Sequence, residues 1–100
     1  MDMAATFRAL GNEKRLQILA WLRDPTAHFP AQVDGDLVID GVCGVRIAEK
    51  LGITQSTLSE HMRLLVASGL VVPTRTRQWT FYRRDPERVA EIANALGAEI

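Results

Sequence analysis

One hundred residues, 47% of them apolar, can build one domain with a core and little beyond it. Twelve basic and twelve acidic residues cancel, so no overall charge drives the chain onto a polyanion or a membrane surface. No apolar run reaches the roughly 18–20 residues that span a bilayer, and a single cysteine excludes an internal disulfide.

In chain order, residues 3–10 read as a short helix with Phe7 and Leu10 on one side. Gly11 closes it and Asn12 caps the next. From Glu13 to about Arg23, Leu16, Leu19 and Leu22 recur at helical spacing, with Ile18 widening the stripe. Asp24-Pro25 ends that helix. Residues 25–41, PTAHFPAQVDGDLVIDG, hold two prolines and two glycines among scattered apolar residues. They read as a long ordered loop with a short extended piece at Leu37 to Ile39; such loops are often functional or mobile. A short helix follows over about Gly44 to Leu51, with Ile47, Ala48 and Leu51 inward. Gly52 breaks it, and Thr54 caps a further helix whose Leu58, Met62 and Leu65 form a seam ending near Ser68-Gly69. Val71 to Arg75 and Trp79 to Arg83 read as an antiparallel hairpin. Asp85 caps a last helix from Pro86, lined by Val89, Ile92, Ala93 and Leu96 and fraying at Gly97.

The predicted fold class is mainly α with a two-stranded β-hairpin. The two helices around Gly52-Ile53-Thr54 have helix-turn-helix spacing, the second is the recognition candidate, and the hairpin beside it is a wing. The candidate helix shows Gln55, Ser56, Thr57, Ser59, Glu60 and Arg63; its short hydroxyls, amide and arginine hydrogen-bond to base edges and phosphates, while Glu60 reads as solvated or at best a cytosine acceptor. The charge is also unevenly placed: net −2 over residues 1–45, +5 over 46–84 and −3 over 85–100. A local basic face matters more to DNA than the total.

Three stretches, FRALGNEKRLQILAWL (7–22), IAEKLGITQSTLSEHMRLLVASGLV (47–71) and RTRQWTFYRR (75–84), give the chain a resemblance to the ArsR/SmtB family of winged helix-turn-helix repressors, against which residues 25–41 look like an inserted loop. The resemblance implies a homodimer built by the terminal helices, about residues 2–10 and 86–97, through Phe7, Leu10, Val89, Ile92 and Leu96. Its DNA partner would be an imperfect inverted repeat, read by two recognition helices about one turn apart. Family members often sense metals, through a Cys-x-Cys pair and through Asp and His on the last helix. Here the first pair is Cys43 and Val45, and the last helix has no histidine. No metal site of the usual form and no cofactor are expected. The family often has glycine where Arg77 stands, so a wider or strained turn is implied there.

The expected DNA-binding residues are Gln55, Ser56, Thr57, Ser59, His61, Arg63, Arg75 and Arg77. At His61 two readings stay open: the DNA edge, or packing as a neutral ring. Trp79, Phe81 and Tyr82 read as cross-strand packing rather than a stacking platform. Cys43 is either inert and buried, a candidate thiol sensor at a helix N-terminus, or part of an unusual metal site with His28, Asp34, Asp36 or Asp40. His28 otherwise reads as an ordinary loop residue. No catalytic constellation is present. The start, Met1-Asp2-Met3-Ala4, lacks a secretion signal's basic opening and apolar stretch, so a cytoplasmic location with no membrane partner is expected. The reading is a DNA-binding repressor released by a small-molecule or redox effector. Its rivals are a winged helix used only for protein–protein assembly and a constitutive DNA-binding protein without an effector.

Overall fold

The structure is a computed structural model and describes residues 2–100. Helix α1 (Met3–Leu10) starts where the Asp2 carboxylate accepts from the Ala5 N–H. Helix α2 (Glu13–Arg23) starts where the Asn12 side-chain oxygen accepts from Lys14 and Arg15 at 2.9 and 3.2 Å. These first-turn N–H groups have no partner within their helix, so a cap decides where each helix begins.

Residues 25–41 depart from the expected loop. Pro25 opens a one-turn helix, α3 (Pro25–His28), where its fixed φ suits the first position. Leu37 to Ile39 is a tight turn, not an extended piece. Its cause is Asp36, whose carboxylate accepts from the Val38 and Ile39 N–H groups at 2.9 and 2.8 Å. Those two bonds hold the Asp36 pKa below the usual carboxylate value. Strand β1 (Val42–Cys43) follows, then α4 (Gly44–Leu51) and, beyond a left-handed Gly52 at φ 71°, α5 (Gln55–Ala67). Strands β2 (Val71–Thr76) and β3 (Trp79–Arg84) form the expected hairpin. The wing is nevertheless three-stranded, because β1 pairs antiparallel with β3, Val42 opposite Tyr82 and Cys43 opposite Phe81. Helix α6 (Pro86–Glu99) starts at the Asp85 cap and continues through Gly97 without fraying there; one glycine costs a helix only about 1 kcal/mol.

The core lies between the helices and the sheet. Ile18, Ile47, Met62, Leu65, Leu70 and Phe81 are its fully buried large side chains among others. Two residues fall elsewhere than expected. Leu16 is 50% exposed, since the inward stripe of α2 is Ile18, Leu19 and Leu22. Ile92 is 2% exposed, so it is already covered within one chain. The insertion is pinned over the sheet. The Gln32 side-chain oxygen accepts from the Cys43 N–H at 2.7 Å and its NH₂ donates to the Gly41 carbonyl at 2.9 Å. Gly35 lies against Phe81 so closely that a Cβ would come within 2.8 Å of the ring.

Candidate nucleic-acid interface

Helix α5 is presented by a turn with little freedom. Gly52 ends α4 in the left-handed conformation that suits glycine, and Ile53 tucks back as its N–H donates to the Ala48 carbonyl. The Thr54 hydroxyl then accepts from the Thr57 N–H at 3.2 Å. The same hydroxyl lies 3.2 Å from the Ser56 hydroxyl and donates to that of Thr57 at 3.0 Å. Three hydroxyls are thus ordered at the start of the helix, beside unpaired N–H groups and the positive end of the helix dipole. That combination suits a phosphate.

One face of α5 is buried by Leu58, Met62 and Leu65. The other exposes Gln55, Ser56, Thr57, Ser59, Glu60 and Arg63. Arg63 bonds Glu60 at 3.2 Å, with 64% and 72% of the two side chains exposed, so water or a base edge can break the pair at little cost. The wing stands beside this face. Gln55 and Ser59 from α5 and Arg75, Gln78 and Trp79 from the wing line a cleft of about 260 Å³. Arg77 lies at the tip, in a two-residue turn, with φ 54°. It is the one non-glycine residue with positive φ among the described residues. The turn is therefore tight and strained at Arg77, not wider.

The basic segment is not all available to this face. Lys50 lies over the Trp21 and Phe29 rings at 5.1 and 5.6 Å, and Arg84 donates to the Leu19 carbonyl at 3.1 Å. Arg46, Arg63, Arg75 and Arg77 remain exposed. His61 turns from the exposed face toward α2, its Nδ1 3.0 Å from an Arg15 guanidinium nitrogen. Gln78 is the residue that sequence reasoning passed over; its one signal was a polar position in a hairpin turn. Gln32 gave none, because its partners lie far along the chain.

Cys43 is half-buried at the N-terminus of α4. It borders a second cleft, of about 330 Å³, walled by Gln32, Val45, Arg46, Trp79 and Phe81. Among the described residues, no group of three or more His, Cys, Asp and Glu side chains is placed to hold a metal ion. No helix among them is long and apolar enough to cross a membrane.

Comparison with known proteins follows the same lines. The family model described as bacterial regulatory protein, arsR family, matches residues 43–72, from Cys43 through α5 to the start of the wing. The chain is similar to the HTH-type transcriptional regulator YbzH of Bacillus subtilis, 41% identical over 100 residues and the whole of both chains. It is 31% identical to the biofilm growth-associated repressor of Xylella fastidiosa, over 84% of this chain and 75% of that one. Among solved structures, NolR from Sinorhizobium fredii superposes with a TM-score of 0.61 at 29% identity, covering 96% of this chain and 81% of that one. Shared fold, the matched helix-turn-helix and end-to-end likeness to a regulator make this chain a transcriptional regulator of the arsR family.

Proposed function

We propose that the chain is a dimeric, sequence-specific repressor that reads double-stranded DNA with α5 and holds the backbone or minor groove with its wing. The observation that carries this is the capped, exposed face of Gln55, Ser56, Thr57, Ser59 and Arg63 set beside the arginines of the wing. The repressor named among its relatives supports the direction of regulation. The terminal helices supply the dimer contact. Phe7 on α1 is 45% exposed, and Leu10, Val89 and Leu96 border an apolar groove of about 280 Å³ whose wall on the neighbouring α2 is Leu16, 50% exposed. Ile92 supports that face from beneath. A two-fold pair would place two copies of α5 on an inverted repeat. Putting a charge in the groove, Leu16→Glu, should leave the chain folded and monomeric by sedimentation. A dimer of unchanged strength would move the interface elsewhere.

The effector seat in this reading is the cleft beside Cys43. Cys43, Val45 and Trp79 border both that cleft and the one facing DNA, so a change at the thiol or a bound small molecule would press on the wing. The test is fluorescence anisotropy on duplex DNA from upstream of the chain's own gene, against salt and with the thiol reduced or oxidised. If Arg46, Arg75 and Arg77 of both protomers meet phosphates, the slope of log affinity on log salt should be about −5. A slope near zero would leave only the protein-assembly rival. Binding lost on oxidation and restored by reductant would make Cys43 the sensor. Unchanged binding would move the signal to a small molecule.

A further inference from the structure

Among the described residues, Arg15 is the one buried charged side chain, 8% exposed. A buried charge needs partners, and Arg15 has no carboxylate. Its Nε donates to the Ala9 carbonyl and one terminal nitrogen to the Arg8 carbonyl, both at 2.7 Å. These oxygens stand at the C-terminal end of α1, where the helix dipole is negative. The other terminal nitrogen reaches Nδ1 of His61 at 3.0 Å. One side chain on α2 therefore ties the end of α1 to the middle of α5.

A guanidinium can only donate. His61 Nδ1 must therefore present its lone pair, and the ring must be neutral with its proton on Nε2. We propose that Arg15 and His61 are a positioning pair: neutral His61 locks the tilt of α5 against α1, and protonating it releases the lock and weakens specific DNA binding. The proposal rests on the reading of α5 as the DNA-reading helix. A proton on Nδ1 would turn the acceptor into a donor facing a donor and set two cations together. Since α1 also belongs to the proposed dimer face, the same lock governs how the two reading helices are spaced. Contacts from the exposed wing arginines to phosphate do not depend on it, so non-specific binding should be spared.

The surroundings of the ring agree. Burial, then the charges of Arg15 and Lys14, push the His61 pKa below its ordinary value of 6.5. Of the elements packed on α5, α2 supplies those two cations and also carries Glu13 and Arg23, both exposed. On α1 the charged side chain is Arg8, and α4 and β2 carry Arg46, Glu49, Lys50 and Arg75, all exposed. On α5 itself, Glu60 is engaged with Arg63.

The test uses a duplex selected by the wild-type chain from a random pool, with a scrambled duplex of equal length beside it. From about pH 7 to 5, a window set below 6.5 because the His61 pKa is lowered, the wild-type preference for the selected duplex should fall about fivefold or more, the scale of ordinary site-to-site coupling. His61→Gln, whose amide oxygen still accepts but does not titrate, should keep its preference across that range. In the free protein, the α5 amide signals should move with the same midpoint as the His61 ring by NMR. A His61→Gln profile that parallels wild type, or α5 amides that stay still while the ring titrates, would overturn the pair. Absence of salt-dependent DNA binding would instead sink the reading of α5, and the NMR result would still judge the lock.

Discussion

Gly41→Ala should lower the unfolding free energy by about 3 kcal/mol or more, the range of forced backbone strain. Gly41 has φ 107°, where side chains with a Cβ rarely sit, and a Cβ there would be driven into the Tyr82 carbonyl group. The clash is backbone on backbone, so no rotamer relieves it. To make room, β1 must part from β3, and with it go the Val42–Tyr82 and Cys43–Phe81 pairings and the Gln32 bond to the Gly41 carbonyl. In a chain of this size the midpoint should fall by roughly 12–24 °C in a thermal melt followed by circular dichroism. Gly52→Ala is the internal control. Its φ of 71° is also left-handed, but nothing lies within 4 Å of the added Cβ, so about 1–2 kcal/mol is expected. Equal losses from both substitutions would mean that β1 is only loosely held. The cleft beside Cys43 would then not exist ready-made.

The same contrast explains what could be read from the sequence. Asn12, Thr54 and Asp85 mark helix starts because each acts on N–H groups two or three residues ahead, and Gly52 marks a stop through its own φ. Such features are local, so their residues announce them. A two-residue strand has no periodicity to detect, and β1 exists only because β3, about forty residues on, offers it a free edge. The Asp36 turn was local, but its apolar Leu37, Val38 and Ile39 resembled a strand and concealed it. Leu16 fits the helical repeat of α2 as well as Leu19 does. Its exposure depends on what the rest of the fold covers. The polar face of α5 was legible because a helix that only packs has little use for Gln55, Ser56, Thr57 and Ser59 together. The side of α5 on which His61 falls was legible only as a choice of two, since its partner Arg15 lies 46 residues away.

Arg77→Gly and Arg63→Ala should separate backbone holding from base reading. Arg77 has a positive φ in the first place of a two-residue turn, a position that favours glycine. Removing its Cβ should therefore stabilise the chain by about 1 kcal/mol. It should also weaken DNA binding by roughly tenfold on selected and scrambled duplexes alike, and make the salt slope shallower by about 2 for the two protomers. Arg63 offers the reverse pattern. Its bond to Glu60 is exposed, so its loss should change stability by less than about 1 kcal/mol. A lost arginine–guanine contact costs about 1–3 kcal/mol per site. Arg63→Ala should therefore weaken the selected duplex by tenfold or more and scarcely touch the scrambled one. The two variants would be measured by anisotropy on both duplexes and by thermal melts. Matching losses from both would end this division of labour. For Arg77 the change in binding decides, because the backbone at φ 54° should relax either way. A residue whose removal relaxes the backbone and weakens binding stands in the turn for what it binds; one whose removal relaxes the backbone and leaves binding intact is exposed only because the tip is.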